Sequence, residues 1–455
     1  MKKKLVALFI SMAMTATILV GCGGGADNKE TSSNDTATNT DANAGAEDQT
    51  EAPKADEPQA ETSGEVVTIE FTQWWEPELP NGEFRALIDK FEAENPNIKV
   101  ELLSGPYSST KEQVIAGAAT GTMSDVVGLD GAWVSDFVKQ ESIADLSAIM
   151  NENGYDQSQL ASQIQLNGST YMIPVVNFVY PLFVNDDLLA SANITTPPDN
   201  RTEFAADAKA ITNAQNNVYG WVLPLSLDTP NGIQNDVMSW VWASGKSMLK
   251  DGKPDLLNED VKSAVEYIKS LYDDGVIAPG AFSMKEQDKV EEFTNGRVGM
   301  MFDTLAHINT IREANPNLKF SISAAPVVDG YTGERGLPYA SWGIGISQNS
   351  EHKAEAWKLV EFLMSEAVNA ELSTMANAFP GNSKSVPDTV GQDELIAKAF
   401  EIYQSGYPAN EFVGLPVAES LMRSFDEQLQ LMLDGGQTVD EMLNNAQQAW
   451  EKEFN

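Results

Sequence analysis

The chain has 455 residues, 42% of them apolar, which is enough for substantial cores and suits two or three domains better than one. It carries 29 Lys+Arg against 67 Asp+Glu, a formal charge of −38. Such a surface stays soluble, repels nucleic acid and is a poor partner for anionic lipid.

Met1 is followed by Lys2, Lys3 and Lys4, and Leu5 to Val20 is an uninterrupted apolar or small run. That run is shorter than the roughly 20 residues of a transmembrane helix and fits a secretory signal peptide over residues 1–21. Its end, Leu19-Val20-Gly21-Cys22, is not of the A-x-A type. It is similar to a lipobox, the bacterial motif whose Cys receives a diacylglycerol and becomes the mature first residue. Cys22 is the only cysteine, so no internal disulfide can form. The alternative is an ordinary signal peptide with an incidental cysteine. Two acyl chains at one residue anchor stably where one is marginal. The expectation is an exported lipoprotein held at the outer face of the cytoplasmic membrane. Residues 22–64 then contain the lipidated Cys and ten acids against Lys29 and Lys54, with almost nothing large and apolar. This composition reads as a disordered, self-repelling tether.

From Glu65 the pattern alternates between strand and helix. Thr68-Ile69-Glu70-Phe71-Thr72 reads as a strand that ends at Trp74-Trp75. Adjacent side chains on extended backbone point to opposite faces, so one core is not expected to take both rings. Phe84, Leu87, Ile88 and Phe91 mark one helix face, closed by Asn95-Pro96. Ile98 to Leu102 alternates as a second strand, Val114 to Ala119 reads as a helix, and Asp125 to Leu129 as a buried strand. Further strand-like runs lie at Tyr180 to Val184, Val298 to Phe302, Phe320 to Ala325 and Gly343 to Ser347. Strands alternating with helices indicate an α/β protein with largely parallel sheets. No short-period repeat is present, which argues against solenoids and propellers.

Six segments, in consistent order, resemble the extracellular solute-binding proteins of ABC importers, in the carbohydrate-binding, maltose-binding-protein-like branch. They include "FRALIDKFEAENPNIKVEL", "AGAATGTMSDVVGLDGAWVSDFVKQESIADLS", "STYMIPVVNFVYPLFVNDDLLASANI", "EEFTNGRVGMMFDT" and the terminal "GQTVDEMLNNAQQAWEKEF". The resemblance covers nearly all of residues 65–455. It implies a two-lobed, periplasmic-binding-protein-like fold of type II with about three crossovers. One lobe would hold 65–176 plus about 341–385, the other 177–340 plus about 386–455. Ligand would bind between lobes that close by a hinge. The implied partners are a carbohydrate and the permease subunits of the importer, with membrane contact through Cys22, no nucleic acid, no cofactor and a monomeric chain.

Open α/β sheets bind ligands at the carboxyl ends of their strands, and those ends supply the candidates. Sugars present an apolar C–H face and a polar edge, so flat aromatics beside carboxylates suit them. Trp74, Trp75 and Glu76 follow the first strand, with one tryptophan expected at the ligand and one in core or hinge packing. Asp130 follows the Asp125–Leu129 strand and reads equally as a ligand contact or a helix cap. Tyr107 is either a contact or a solvated loop residue. Phe178 and Tyr180 sit at the first crossover, and Phe178 replaces a carboxylate of maltose-binding members, which argues against maltodextrin. Asp303 ends "VGMMF", and Trp342 precedes a strand at a later crossover. Trp221, Trp240, Trp242, Trp357 and Trp450 read as core.

An enzyme needs a constellation that is hard to assemble here. His307 and His352 are the only histidines, so no ordinary Zn site is expected. G-x-S-x-G, P-loop and G-x-G-x-x-G patterns are absent. The enzymatic alternative is an anchored glycosidase, because paired carboxylates with tryptophans also serve glycoside hydrolysis. A non-sugar solute such as a polyamine is the alternative ligand.

Overall fold

A computed structural model describes residues 65–388 and 393–454. The expected signal peptide, Cys22 and the acidic tether lie outside the described residues. Among the described residues, no helix is long and apolar enough to cross a membrane.

The first strand, β1 (Val67–Gln73), buries Ile69 and Phe71 and exposes Thr68 and Glu70. Beyond Glu70 both of its faces are buried at Phe71, Thr72 and Gln73, and parallel neighbours pair with both of its edges there. Phe71 lies opposite Leu102 of β2 (Ile98–Ser104) and Val126 of β3 (Val126–Leu129). Helix α1 (Glu83–Glu94) connects β1 to β2 and buries Phe84, Leu87, Ile88 and Phe91, the face marked by their spacing. Helix α2 (Tyr107–Thr120) begins earlier than the apolar run from Val114 implied. Tyr107 is therefore the first residue of a helix rather than part of a loop.

The chain runs through β4 (Ser169–Val179), turns at Tyr180-Pro181 and enters a second sheet at β5 (Leu182–Asn185). That sheet holds β6 (Tyr219–Trp221), β7 (Val298–Phe302) and β8 (Phe320–Ser323), in the order β8-β5-β7-β6. Helices α3 (Glu286–Thr294) and α4 (His307–Ala314) flank β7 in sequence. The chain then returns to the first sheet as β9 (Arg335–Ile346), antiparallel between β3 and β4. The C-terminal helices α5 (Ala418–Leu433) and α6 (Val439–Glu453) pack on each other, with the Trp450 Nε1–H donating to the Leu421 carbonyl at 2.9 Å. The result is a two-lobed α/β fold.

Two expectations change. The sheets are mixed rather than largely parallel, because strands that re-enter from the other lobe run against those made by local β-α-β connections. Trp342 does not precede a strand. It lies within β9, at a register shift between Trp342 and Gly343.

The five tryptophans read as core are all buried. So is Trp75, whose ring stacks on Trp342 with centroids 5.6 Å apart and planes 6° from parallel. Phe71 at 5.3 Å and Phe84 at 6.0 Å meet it edge-on. Trp75→Ala should cost about 3–5 kcal/mol, the usual range for a buried large aromatic. Denaturant unfolding of the ligand-free protein measures this, and a loss below about 1 kcal/mol would contradict the packing.

Candidate functional site

Where β1 ends, Gln73 fixes the course of the chain. Its Nε2–H donates to Ser104 Oγ at 2.6 Å, and its Oε1 accepts the Glu76 backbone N–H at 2.9 Å. The backbone turns helical at Trp75 (φ −73°, ψ −40°) and continues as a short 3-10 turn over Glu76–Glu78. This turn removes the extended geometry that would send adjacent rings to opposite faces. Both tryptophans are buried together, in edge contact at 6.4 Å. Trp74 packs against Tyr107 at 5.2 Å and Trp133 at 5.6 Å, with one edge on the cleft. Gly128 makes room for it, since a Cβ there would stand 3.3 Å from the Trp74 ring.

The turn also selects among carboxylates. Glu76 faces Ser104, whose hydroxyl donates to it, and is not among the cleft-lining residues. Glu78, two residues on, lines the cleft instead.

The cleft encloses about 610 Å³, with an adjoining chamber of about 40 Å³. Trp74, Glu78, Tyr107, Asn231, Glu286 and His307 line both spaces. Of the sequence candidates, Asp130, Phe178, Tyr180 and Trp342 line the smaller chamber. Trp75 and Asp303 are fully buried and line neither. Asp130 does not cap the helix that follows, which starts at Val134 with Trp133 as its N-cap; it holds the preceding turn and Tyr107 instead. Its Oδ1 accepts the Ala132 N–H at 2.8 Å, and its Oδ2 accepts the Tyr107 hydroxyl at 3.1 Å. Burial and the Asp130 carboxylate push the Tyr107 hydroxyl well above its ordinary range, so it remains a donor.

The opposite wall was not legible in the sequence. It comes from Asn231, from a π-helical turn over Ile233–Val237, and from the starts of α3 and α4. Gly232 precedes that turn at a place where a Cβ would stand 1.6 Å from the Pro224 carbonyl oxygen. π-Helical turns are rare and recur at functional sites. This one carries Asp236, fully buried, 3.3 Å from the Lys289 ammonium of α3. Lys289 also donates to the Phe302 carbonyl at 2.6 Å and lies 3.9 Å from Asp303. Asp303 in turn holds His307 Nδ1 at 2.9 Å. Asp303 thus acts on the cleft through His307 rather than by contact.

Burial pushes the Glu78 carboxyl up to about 8, against the pull of His307 and with help from Glu286 and Asp303. Asp236 is likewise raised to about 8 by burial, against Lys289. Burial opposes the charge on His307, but Asp303, Glu78 and Glu286 outweigh it and raise the ring to about 9. Glu286, Asp303 and His307 offer ligand atoms within 4.8 Å of one another. The Lys289 ammonium beside Asp303 and the proton held by His307 both oppose a metal ion there.

These shifts have one sign. Glu78, Asp236 and His307 each keep a proton to higher pH in the folded chain than in the unfolded one. The His307 contribution is complete below its unfolded value of 6.5 and is lost as pH rises through about 9. The two raised carboxyls disfavour folding increasingly as pH climbs toward about 8. Stability therefore falls with pH across this window, because the folded state binds more protons. The melting temperature of ligand-free protein should drop steadily between pH 6 and 9, and less steeply in Glu78→Gln, whose amide cannot ionise. A melting temperature that is flat or rises over that range would contradict the buried charge arrangement.

A family profile described as "Bacterial extracellular solute-binding protein" matches residues 77–370. A chain of Brucella abortus (strain 2308), named only as a binding protein, is 31% identical over 306 residues, covering 66% of this chain and 73% of that one. Among solved structures, an ABC transporter solute-binding protein of Thermotoga lettingae bound with α-D-tagatose superimposes with a TM-score of 0.75 at 20% identity, covering 86% of this chain and 100% of that one. The GacH receptor of Streptomyces glaucescens, solved unliganded and with acarbose, gives 0.71 at 20% identity, covering 85% and 98%. With the family profile spanning well over half the sequence and the two-lobed fold shared, this chain belongs to the bacterial extracellular solute-binding protein family.

Proposed function

We propose that the chain captures a carbohydrate in this cleft and presents it to the membrane permease of an ABC-type importer, acting as a monomer from a lipid anchor at Cys22. The observation that carries this reading is the meeting of aromatic edges with unpartnered polar atoms in one enclosed space. Trp74 and Tyr107 supply apolar surface, while Asn231 Oδ1, buried and facing the cleft, accepts no hydrogen bond from the protein. A buried polar atom left unpaired costs free energy, and a ligand hydroxyl offsets that cost. The volume falls within the roughly 300–1,000 Å³ of small-molecule sites.

In this reading one lobe holds 65–176 with about 341–385 and the other 177–340 with about 386–455, and they close about the crossovers. Closure signals occupancy, because a permease can respond only to what differs between the open and closed forms. The bound sugar leaves unchanged, without a cofactor or a bond broken on this chain.

A thermal-shift and calorimetric screen of mono- and oligosaccharides tests the reading, with recovery of the ligand intact. Asn231→Ala should weaken sugar binding about tenfold, equivalent to about 1.4 kcal/mol, while leaving the ligand-free melting temperature nearly unchanged. Release of reducing sugar from a polysaccharide or aryl-glycoside would replace binding with catalysis and overturn the proposal.

A further inference from the structure

Four carboxyl groups crowd one side of the cleft: Glu78 and Glu286 line both the cleft and its chamber, Asp236 lines the cleft, and Asp303 lies buried behind them. Two cations answer them. Lys289 sits between Asp236 and Asp303, and His307 is hydrogen-bonded to Asp303. Glu78 and Glu286 are left over. Among the described residues no side chain donates to the Glu78 carboxylate, and Glu286 receives only a long contact from Asn235 Nδ2 at 3.4 Å. Toward the cleft mouth the balance is no different. Lys285 is drawn to Asp228 at 3.7 Å and has Asp288 and Glu291 for neighbours along the lining. On the facing side Asp130 adds another carboxylate, already engaged by Tyr107.

Independent of this charge count, two residues lining the cleft carry buried oxygens without hydrogen-bond partners. They are Asn231 Oδ1, on a residue 6% exposed, and Asp236 Oδ1, on a residue 0% exposed. The wall therefore holds more carboxyl groups than cations: Lys285, Lys289 and His307 are each drawn to other carboxylates, and Glu78 and Glu286 have no salt bridge of their own among the described residues. A neutral sugar hydroxyl donates one hydrogen and brings no charge. An ammonium group donates three and cancels one negative charge, and hydrogen bonds to charged groups are the stronger kind.

We propose that the ligand carries a protonated primary amine, seated against Glu78 and Glu286 beside His307, and that its sugar ring lies against Trp74 and Tyr107. This rests on the carbohydrate reading above and narrows it to an amine-bearing sugar. Protons neutralise this side of the cleft: burial raises both Glu78 and Glu286, and His307 holds its proton to about 9. An ammonium group takes over that neutralising role.

The experiment compares, by titration calorimetry at pH 7, a glucosamine oligomer, its N-acetylated counterpart and a neutral glucose oligomer of equal length, with spermidine as a fourth probe. Acetylation removes the charge and two of the three donors while keeping the ring. The free amine should bind at least tenfold tighter than either neutral sugar, and its affinity alone should fall with added NaCl. In Glu78→Gln and Glu286→Gln that preference should shrink below threefold. If either variant fails to fold, the salt dependence of the native chain still decides the matter. Neutral or acetylated sugar binding as tightly as the amine would overturn this inference and leave the carbohydrate reading standing. Spermidine binding with no sugar of any kind would overturn the carbohydrate reading and the amino-sugar assignment with it. No binding by any amine would overturn the inference outright.

Discussion

The stacked pair of Trp75 and Trp342 joins the two segments on which the cleft depends. Trp75 follows β1, the first strand of the first sheet, at the start of the 3-10 turn, and Trp342 lies in β9, the strand that returns from the second. With Phe71, Phe84 and Phe178 around them, these rings form a rigid aromatic floor. Large faces in near-parallel contact bury area without needing polar partners. Because Trp75 is committed to this stack, Trp74 is held with its edge toward ligand space, and the 3-10 turn that follows carries Glu78 to the cleft.

A second constraint is electrostatic. Lys289 is fully buried among carboxylates from three different segments: the π-helical turn, α3 itself and the end of β7. Removing one partner from such a group leaves an uncompensated buried charge, so these segments are tied to one arrangement. The same arrangement leaves Glu78 and Glu286 lining the cleft with no salt bridge of their own among the described residues, and burial raises both carboxyls.

Some features were readable directly from residue order. The period-3.6 spacing of Phe84, Leu87, Ile88 and Phe91 marked α1, and the apolar run Val298–Phe302 marked β7. Both are local patterns in which burial follows from spacing alone. The region of the cleft was legible for the same reason, since strand ends are local features, and Trp74, Tyr107, Asp130, Phe178, Tyr180 and Trp342 do gather at its two spaces. Glu76 and Glu78 were separable only by the turn between them. Extended geometry would have left Glu76 beside the tryptophans, whereas the 3-10 rotation handed it to Ser104.

The sequence by itself determined the alternation of strands and helices, the apolar faces that form the cores and the family to which the chain belongs. Each of these depends on residues close together in the chain. Tertiary structure alone decided the wall opposite Trp74, because Asn231 with Asp236, Glu286 and His307 come from three segments with no shared motif. It also decided the charge of the site. Which carboxylates find a cation depends on distances between residues far apart in the chain, such as Asp236 and Lys289, and no local pattern encodes them.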